Sequence, residues 1–442
     1  MATNAHIRSG AAVSIVALLA ALAAATAQTG TTGSDRFGTG LDSDEIGLIG
    51  YAGHAPDSKK PKLTAYFGKE SYRPGDSAHL VITDDARQVS IQVMHAGGES
   101  GPTVPMDVML GTPVTKIMPV GAVHGRRVLS IHLGDWPSGV YFVRLTAPRA
   151  RVGYAPFVLA PRHLGEHRIA VVMPTQTWQA YNFRDSNGDG RPDTWYAGWK
   201  QMTAPLIRPF LDRGVPPHWR HYDAPFVRWL VHNHRDVDYL SDAELRNVQN
   251  GKALAAAYSL IVFSGHHEYV TTHEYDVVTR YRDLGGNLAF LSANNFFWKI
   301  TIKNNVMTRV AQWRDLNRPE AALIGVQYRA NDRGGHRGAW ILRRAAAYTP
   351  WLFAGLDLEA GSGISRGGIE IDATSSASPK NIHVLAEIPN LYGPGFTAQM
   401  TYYETPAGAK VFAAGAFSLA DSVWDPDVDT LVSNLWAHLA NG

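Results

Sequence analysis

The residues best suited to chemistry stand in Ser264-Gly265-His266-His267-Glu268, where an apolar run, Leu260-Ile261-Val262-Phe263, stops abruptly. An imidazole and a carboxylate at such a break can form part of a metal site or a general acid/base pair. They would equally serve to cap a following helix. Two other breaks carry comparable groups. Pro174 is followed by Thr175-Gln176-Thr177-Trp178-Gln179-Ala180-Tyr181-Asn182, and Leu291 by Ser292-Ala293-Asn294-Asn295. If all three are ends of parallel strands, their loops open on one edge, where open α/β sheets bind ligands. A Tyr, a His, a Glu and an Asn would then converge.

A further signal follows Tyr181. Asp185-Ser186-Asn187-Gly188-Asp189-Gly190-Arg191-Pro192-Asp193 has the alternating oxygens of a calcium loop. Its twelfth position is Tyr196, which excludes a full EF-hand because no bidentate Glu closes the loop. Asp185, Asn187, Asp189 and Asp193 would instead hold Ca2+ in a shorter, dockerin-like loop; the alternative is a polar turn. His218, His221, His232, His234, His273 and His336 read as surface or structural residues.

Elements that could position these groups are readable from the hydrophobic pattern. From about 62 to 161, runs such as His79–Thr83, Val89–Val93, Val128–Leu133 and Val140–Leu145 alternate with period two between turn signals, as in a β-sandwich. Tyr72-Arg73-Pro74-Gly75-Asp76 and Trp136-Pro137-Ser138-Gly139-Val140-Tyr141 resemble turns of immunoglobulin-like modules. No catalytic constellation appears there, so packing is its expected role. From Arg168 on, short apolar strands (Ile169–Val172, Val237–Leu240, Leu260–Phe263, Asn287–Leu291) alternate with helical stretches (Met202–Arg213, Phe226–His234, Val270–Leu284), which predicts an α/β fold with a parallel sheet. Further strands are expected at Asn381–Glu387, Ala398–Tyr403 and Ala409–Ala414, and a closing helix at Val428–Leu439.

Composition narrows the classes. The 442 residues carry 41 basic and 39 acidic groups, so neither nucleic acid nor an anionic membrane is indicated. The absence of cysteine excludes disulfides, thiolate ligands and a cysteine nucleophile. Arg8, the apolar run Ala11–Ala25 and Ala25-Thr26-Ala27 read as a signal peptide cut after Ala27, hence export to the periplasm or outside the cell, with no membrane span in the mature chain. The expected organisation is a signal peptide at 1–27, a flexible lead-in at 28–60, a β-sandwich at 61–162 and an α/β domain at 163–442.

The pieces Thr177–Asn182, Ser264–Tyr269 and Gly285–Asn294 together resemble the C-terminal domain of the N,N-dimethylformamidase large (β) subunit. The resemblance covers roughly 165–442. It implies a flavodoxin-like, class I glutamine amidotransferase-like fold without the cysteine, and a mononuclear iron held by Tyr181, His266 and Glu268. It also implies an active-site Asn at Asn294 and an active-site Glu at Glu404, within Tyr402-Tyr403-Glu404. The family often has Asp where His267 stands, a change that could alter local charge. A phenolate favours a trivalent, Lewis-acidic ion, consistent with iron and also compatible with zinc. Asn294 would donate to a developing oxyanion or simply cap a helix, and Glu404 would move the proton or lie on the surface. The expected function is an exported, metal-dependent hydrolase of a small amide, partnered by a second copy or a separate small subunit. The alternative is a non-catalytic exported protein that binds a ligand or glycan and retains a relic amidotransferase-like domain.

Overall fold

The computed structural model describes residues 62–99, 108–197, 201–211, 213–332 and 335–441. The leader and lead-in read at 1–27 and 28–60 lie outside them. Residues 62 to 159 form two sheets. One joins Ala65–Phe67, Ser77–Asp84 and Gly125–His132; the other joins Ser71–Tyr72, Arg151–Leu159, Gly139–Ala147, Val89–His95 and two short strands, Thr112–Pro113 and Met118–Gly121. The period-two alternation sends Leu80, Ile82, Ile91, Val93, Val143 and Leu145 from both sheets into one core.

The remainder is built on a larger sheet. In chain order its parts are Ile169–Met173 (β1), Thr175–Ala180 (α1), Ala224–His232 (α2), Asp238–Ser241 (β2), Asp242–Asn247 (α3), Gly251–Ala257 (α4), Leu260–Phe263 (β3), Thr272–Asp283 (α5), Asn287–Phe290 (β4), Ala321–Ile324 (α6), Gln327–Asn331 (β5), Arg337–Leu342 (β6), Gly363–Ala373 (β7), His383–Ile388 (β8), Ala398–Glu404 (β9), Lys410–Ala413 (β10) and Pro426–Ala440 (α7). The strands lie in the order β2-β1-β3-β4-β10-β9-β8-β6-β7-β5, and Ala416–Phe417 pairs with β7. Pairs from β2 to β10 are parallel. Those from β10 to β5 are antiparallel. The expected parallel sheet is therefore a mixed one. Its second half is made of hairpin-like neighbours, which need only short connections such as the Thr405–Ala409 turn rather than crossover helices.

Alternate residues of the parallel strands face opposite layers. Ala170, Val172, Ile261, Phe263, Leu288 and Phe290 pack on α3, α4, α5 and α6. Val171, Met173, Leu260, Val262, Ala289 and Phe412 pack on α2, α7 and residues Met94, Val140, Phe142, Tyr154 and Val158 of the sandwich. Both faces are thus covered, which is why these strands read as unbroken apolar runs.

One expected element is absent. Met202–Arg213 was predicted helical, but Thr203–Pro205 is a strand in a small four-stranded sheet with Val306–Gln312, Trp298–Lys303 and Tyr269–Val270. Pro205 and Pro209 deny a helix the donors and backbone space it needs. No helix among the described residues is long and apolar enough to cross a membrane.

Candidate metal centre

Three loops at the carboxyl ends of β1, β3 and β4 meet, as parallel pairing requires. The first turns at once into α1, whose last carbonyls are unusually well held. Arg208, itself buried, donates through Nη2 to the carbonyls of Gln179 (3.0 Å) and Asn182 (2.8 Å), and through Nη1 to that of Arg184 (2.8 Å). These bonds hold one carbonyl in the last turn of α1 and two in the chain just beyond it. They fix Tyr181, the residue that closes α1. Thr177 of α1 accepts the Glu268 backbone N–H at 3.2 Å, tying the second loop to the first. The third loop is stitched to the second by Phe296 N–H to the His267 carbonyl (2.7 Å) and Trp298 N–H to that of Glu268 (2.9 Å).

Tyr181, His266, Glu268 and Asn294 are all buried and share one cluster. The Tyr181 hydroxyl donates to Glu268 Oε2 at 2.7 Å. His266 Nε2 lies 3.5 Å from the same oxygen and accepts from Asn294 Nδ2 at 3.4 Å. Asn294 does not cap a helix, because the chain continues into the strand Trp298–Lys303. It sits at φ 53°, a left-handed conformation that Asn tolerates, with its N–H held by both oxygens of Asp372 at 3.0 and 3.1 Å.

Glu404 is not there. It ends β9, opposite Lys410 at the start of β10, and so lies at the other edge of the sheet, exposed, accepting from the Tyr402 hydroxyl at 2.6 Å. The carboxylate that does reach the cluster is Glu370, on β7, with Oε2 3.4 Å from His266 Nε2 and only 2% exposure. It follows Ile369, a β-branched residue held at φ 64° where the strand register shifts. Such strain gathers at functional sites. A signal was present in the sequence: in Ile369-Glu370-Ile371-Asp372 two acids alternate with apolar residues, and acids on a buried strand need a reason.

The Asp-rich loop also contributes indirectly. Asp185 accepts from the N–H groups of Gly188 (2.7 Å) and Gly190 (2.8 Å), Asn187 from Asp189 (2.8 Å), and Asp193 from Ser186 (2.6 Å). These bonds, the Gly190 one foremost, hold the exposed Asp185 carboxyl below its usual range. The loop leads into the turn Trp195–Ala197, which stacks Tyr196 on Tyr181 (centroids 4.6 Å apart). Tyr196 donates to Glu268 Oε2 at 3.2 Å and hydrogen-bonds Tyr269, which accepts from Trp195 Nε1 at 3.1 Å. His218, read as a surface or structural residue, is buried with its ring 6.1 Å from that of Tyr181. His267 does stand aside: its ring packs edge-on against Phe263, and burial lowers its pKa to about 3, so it brings no charge.

Electrostatically the cluster wants a cation. Burial raises the Glu268 carboxyl to about 7, and burial together with the Glu268 charge raises Glu370 well above the usual range. Burial pushes the Tyr181 phenol well above its ordinary value, and holds His266 well below the usual imidazole range, hence neutral. Glu370 Oε2 and Asn294 Oδ1 lack hydrogen-bond partners. Donors about 2.0–2.2 Å from one ion in tetrahedral geometry sit about 3.4 Å apart, close to the separations around His266. Among the described residues no three His, Cys, Asp or Glu side chains could hold a metal alone. A metal here would draw on a further oxygen, such as that of Tyr181 or Asn294.

Residues 127–424 match the family model described as N,N-dimethylformamidase beta subunit-like, C-terminal. Two curated relatives are each named N,N-dimethylformamidase beta subunit. The one from Alcaligenes sp is 24% identical over 58% of this chain and 41% of its own length; the one from Paracoccus aminophilus is 23% identical over 57% and 40%. This chain thus spans well under half the length of either. A solved structure titled Structure of PhoD covers 87% of this chain and all of its own at 9% identity, with a TM-score of 0.23, too low to inform the fold. With a buried Tyr, His, Glu and Asn set in the loops its motifs indicate, and a match over most of its length, the chain belongs to the N,N-dimethylformamidase beta subunit-like, C-terminal family.

Proposed function

We propose that this protein is a metal-dependent hydrolase of small amides, with iron held by Tyr181, His266 and Glu268. The observation that carries this reading is the meeting of phenol, imidazole and carboxylate from three separate loops in a buried place without positive charge. The names of the two curated relatives support amide hydrolysis, and the phenol favours a trivalent ion. The strand order β2-β1-β3-β4-β10 is that of flavodoxin-like sheets, which supports the amidotransferase-like reading for that half of the molecule; the two smaller sheets support an immunoglobulin-like reading for the other.

When bound, the metal would supply Lewis acidity toward an amide carbonyl and lower the pKa of a coordinated water to about 7. Glu370, with Oε2 3.4 Å from His266 Nε2, would receive the proton of the attacking water and return it to the departing nitrogen. Asn294 Nδ2 is the donor aimed at this point, suited to an oxygen on which charge develops. The loop 185–193 would brace Tyr196 and so Glu268, with or without Ca2+. A separate subunit is in keeping with the relatives' names, and the leader read at 1–27 would place this chemistry outside the cytoplasm.

Metal analysis of the purified protein tests the reading. One iron per chain is expected, with a visible phenolate-to-iron band that disappears in Tyr181→Phe, and iron lost in Glu268→Ala. A metal-free, well-folded protein would favour the ligand-binding alternative.

A further inference from the structure

The segment before α2 is built in an unusual way. Trp219–Asp223 is one turn of π-helix, entered through His218 at φ 60°. Wide turns of this kind and left-handed residues other than glycine are uncommon and gather at functional sites. Asp223 holds the position where an Asp ordinarily caps a helix, yet its side chain makes no capping bond. It turns inward. Oδ2 accepts the Trp178 indole N–H at 2.9 Å, while Oδ1 has no hydrogen-bond partner, on a side chain that is 1% exposed.

Gly265 makes this possible: a Cβ there would lie 2.5 Å from Asp223 Oδ1. The glycine two residues past β3 thus admits a carboxylate beside the loop carrying His266 and Glu268. Asp223, His218, Tyr181 and His266 all line a chamber of about 10 Å3. A void of this size admits one group about as large as water.

We propose that this chamber receives the amide nitrogen of the substrate, with Asp223 Oδ1 accepting an N–H from it. The substrate class is then amides that carry hydrogen on nitrogen, primary amides above all. An –NH2 group matches the chamber in size and supplies the missing donor; a dialkylated nitrogen does neither, and leaves Oδ1 buried without a partner. Sites built to bond a substrate N–H reject analogues that lack it. The inference rests on the amide-hydrolase reading and departs from the N,N-dimethylated substrate in the relatives' names.

The test compares kcat/KM for formamide, N-methylformamide and N,N-dimethylformamide on the iron-loaded protein. The expected order falls along that series, formamide exceeding N,N-dimethylformamide at least about fivefold, the worth of one buried hydrogen bond. Asp223→Asn turns an N–H toward the chamber and should bring the ratio close to one while the visible band persists. Equal rates for the three amides, or an unchanged ratio in Asp223→Asn, overturns the subsite and leaves hydrolysis standing; if the variant does not fold, the wild-type series decides. Turnover of none of them overturns the hydrolase reading instead. Tryptophan fluorescence titrations with formamide and N,N-dimethylformamide then decide the subsite: binding of formamide that is tighter and weakened in Asp223→Asn supports it, and no binding or no difference overturns it.

Discussion

Neutralising Glu370 and neutralising Glu404 should have opposite consequences, although both lie on strands of the same sheet. Glu370 is buried against His266 Nε2 with a free oxygen, and a positioned acid/base group is typically worth about 10²–10⁴ in rate. Glu370→Gln should therefore lower kcat by at least about a hundredfold. Glu404 is exposed, with its carboxylate accepting from Tyr402 on its own strand, so Glu404→Gln should stay within about twofold of wild type. Released amine measured on both variants checks the assignment; equal losses would contradict it. The pair also shows what residue types alone convey. Tyr181, His266, Glu268 and Asn294 were legible because their loops follow apolar strands, where parallel topology dictates a common edge, and because the family resemblance pointed to the individual residues. Glu370 was missed although Ile369–Asp372 alternates, because that short alternation sits in an irregular antiparallel strand whose bulges interrupt the pattern on either side.

At the scale of elements the parallel half was readable for a physical reason: strands covered on both faces are continuous apolar runs. In the antiparallel half β8 and β9 were readable, but β5 and β7 hide because β7 carries Gly363, Gly367 and Gly368 and β5 is half polar. Legibility also failed for a cluster that locks α1, α3 and α5 together. Asp242 accepts the Gln176 N–H at 2.7 Å and Thr175 Oγ1 at 3.2 Å, and Glu274 accepts Gln176 Nε2 at 2.5 Å. Burial raises the Glu274 carboxyl from 4.5 to about 7, and burial together with the Glu274 charge raises Asp242 well above the ordinary range. A carboxyl whose folded pKa exceeds its unfolded value binds its proton more tightly when folded. Stability contributed by that proton is full below about pH 4.5 and is lost as pH rises through about 7. The urea midpoint of the wild type should thus fall between pH 5 and 8. Glu274→Gln, which cannot ionise, should show a flatter profile over that window; identical slopes would remove Glu274 as the cause.

The whole molecule depends on a core that ignores the change of texture between its two sheet systems. Val140, Phe142, Tyr154 and Val158 of the sandwich pack in the same cluster as Val171 and Val262 of the larger sheet and Trp229 of α2. Glu70 of the sandwich accepts from Thr175, the first residue of α1, at 2.6 Å and pairs with Arg246 of α3. The module without catalytic residues therefore supports the helix that presents Tyr181. Two consequences follow from one cause. Heating the described chain should produce a single calorimetric transition rather than two, since neither part can lose its face of the shared cluster without exposing the other. A piece starting at residue 163 should lack a stable fold, with weak near-ultraviolet circular dichroism and no retained iron. Two resolved transitions, or a 163–442 piece that keeps its aromatic dichroism and binds iron, would show that the sandwich is dispensable to the centre.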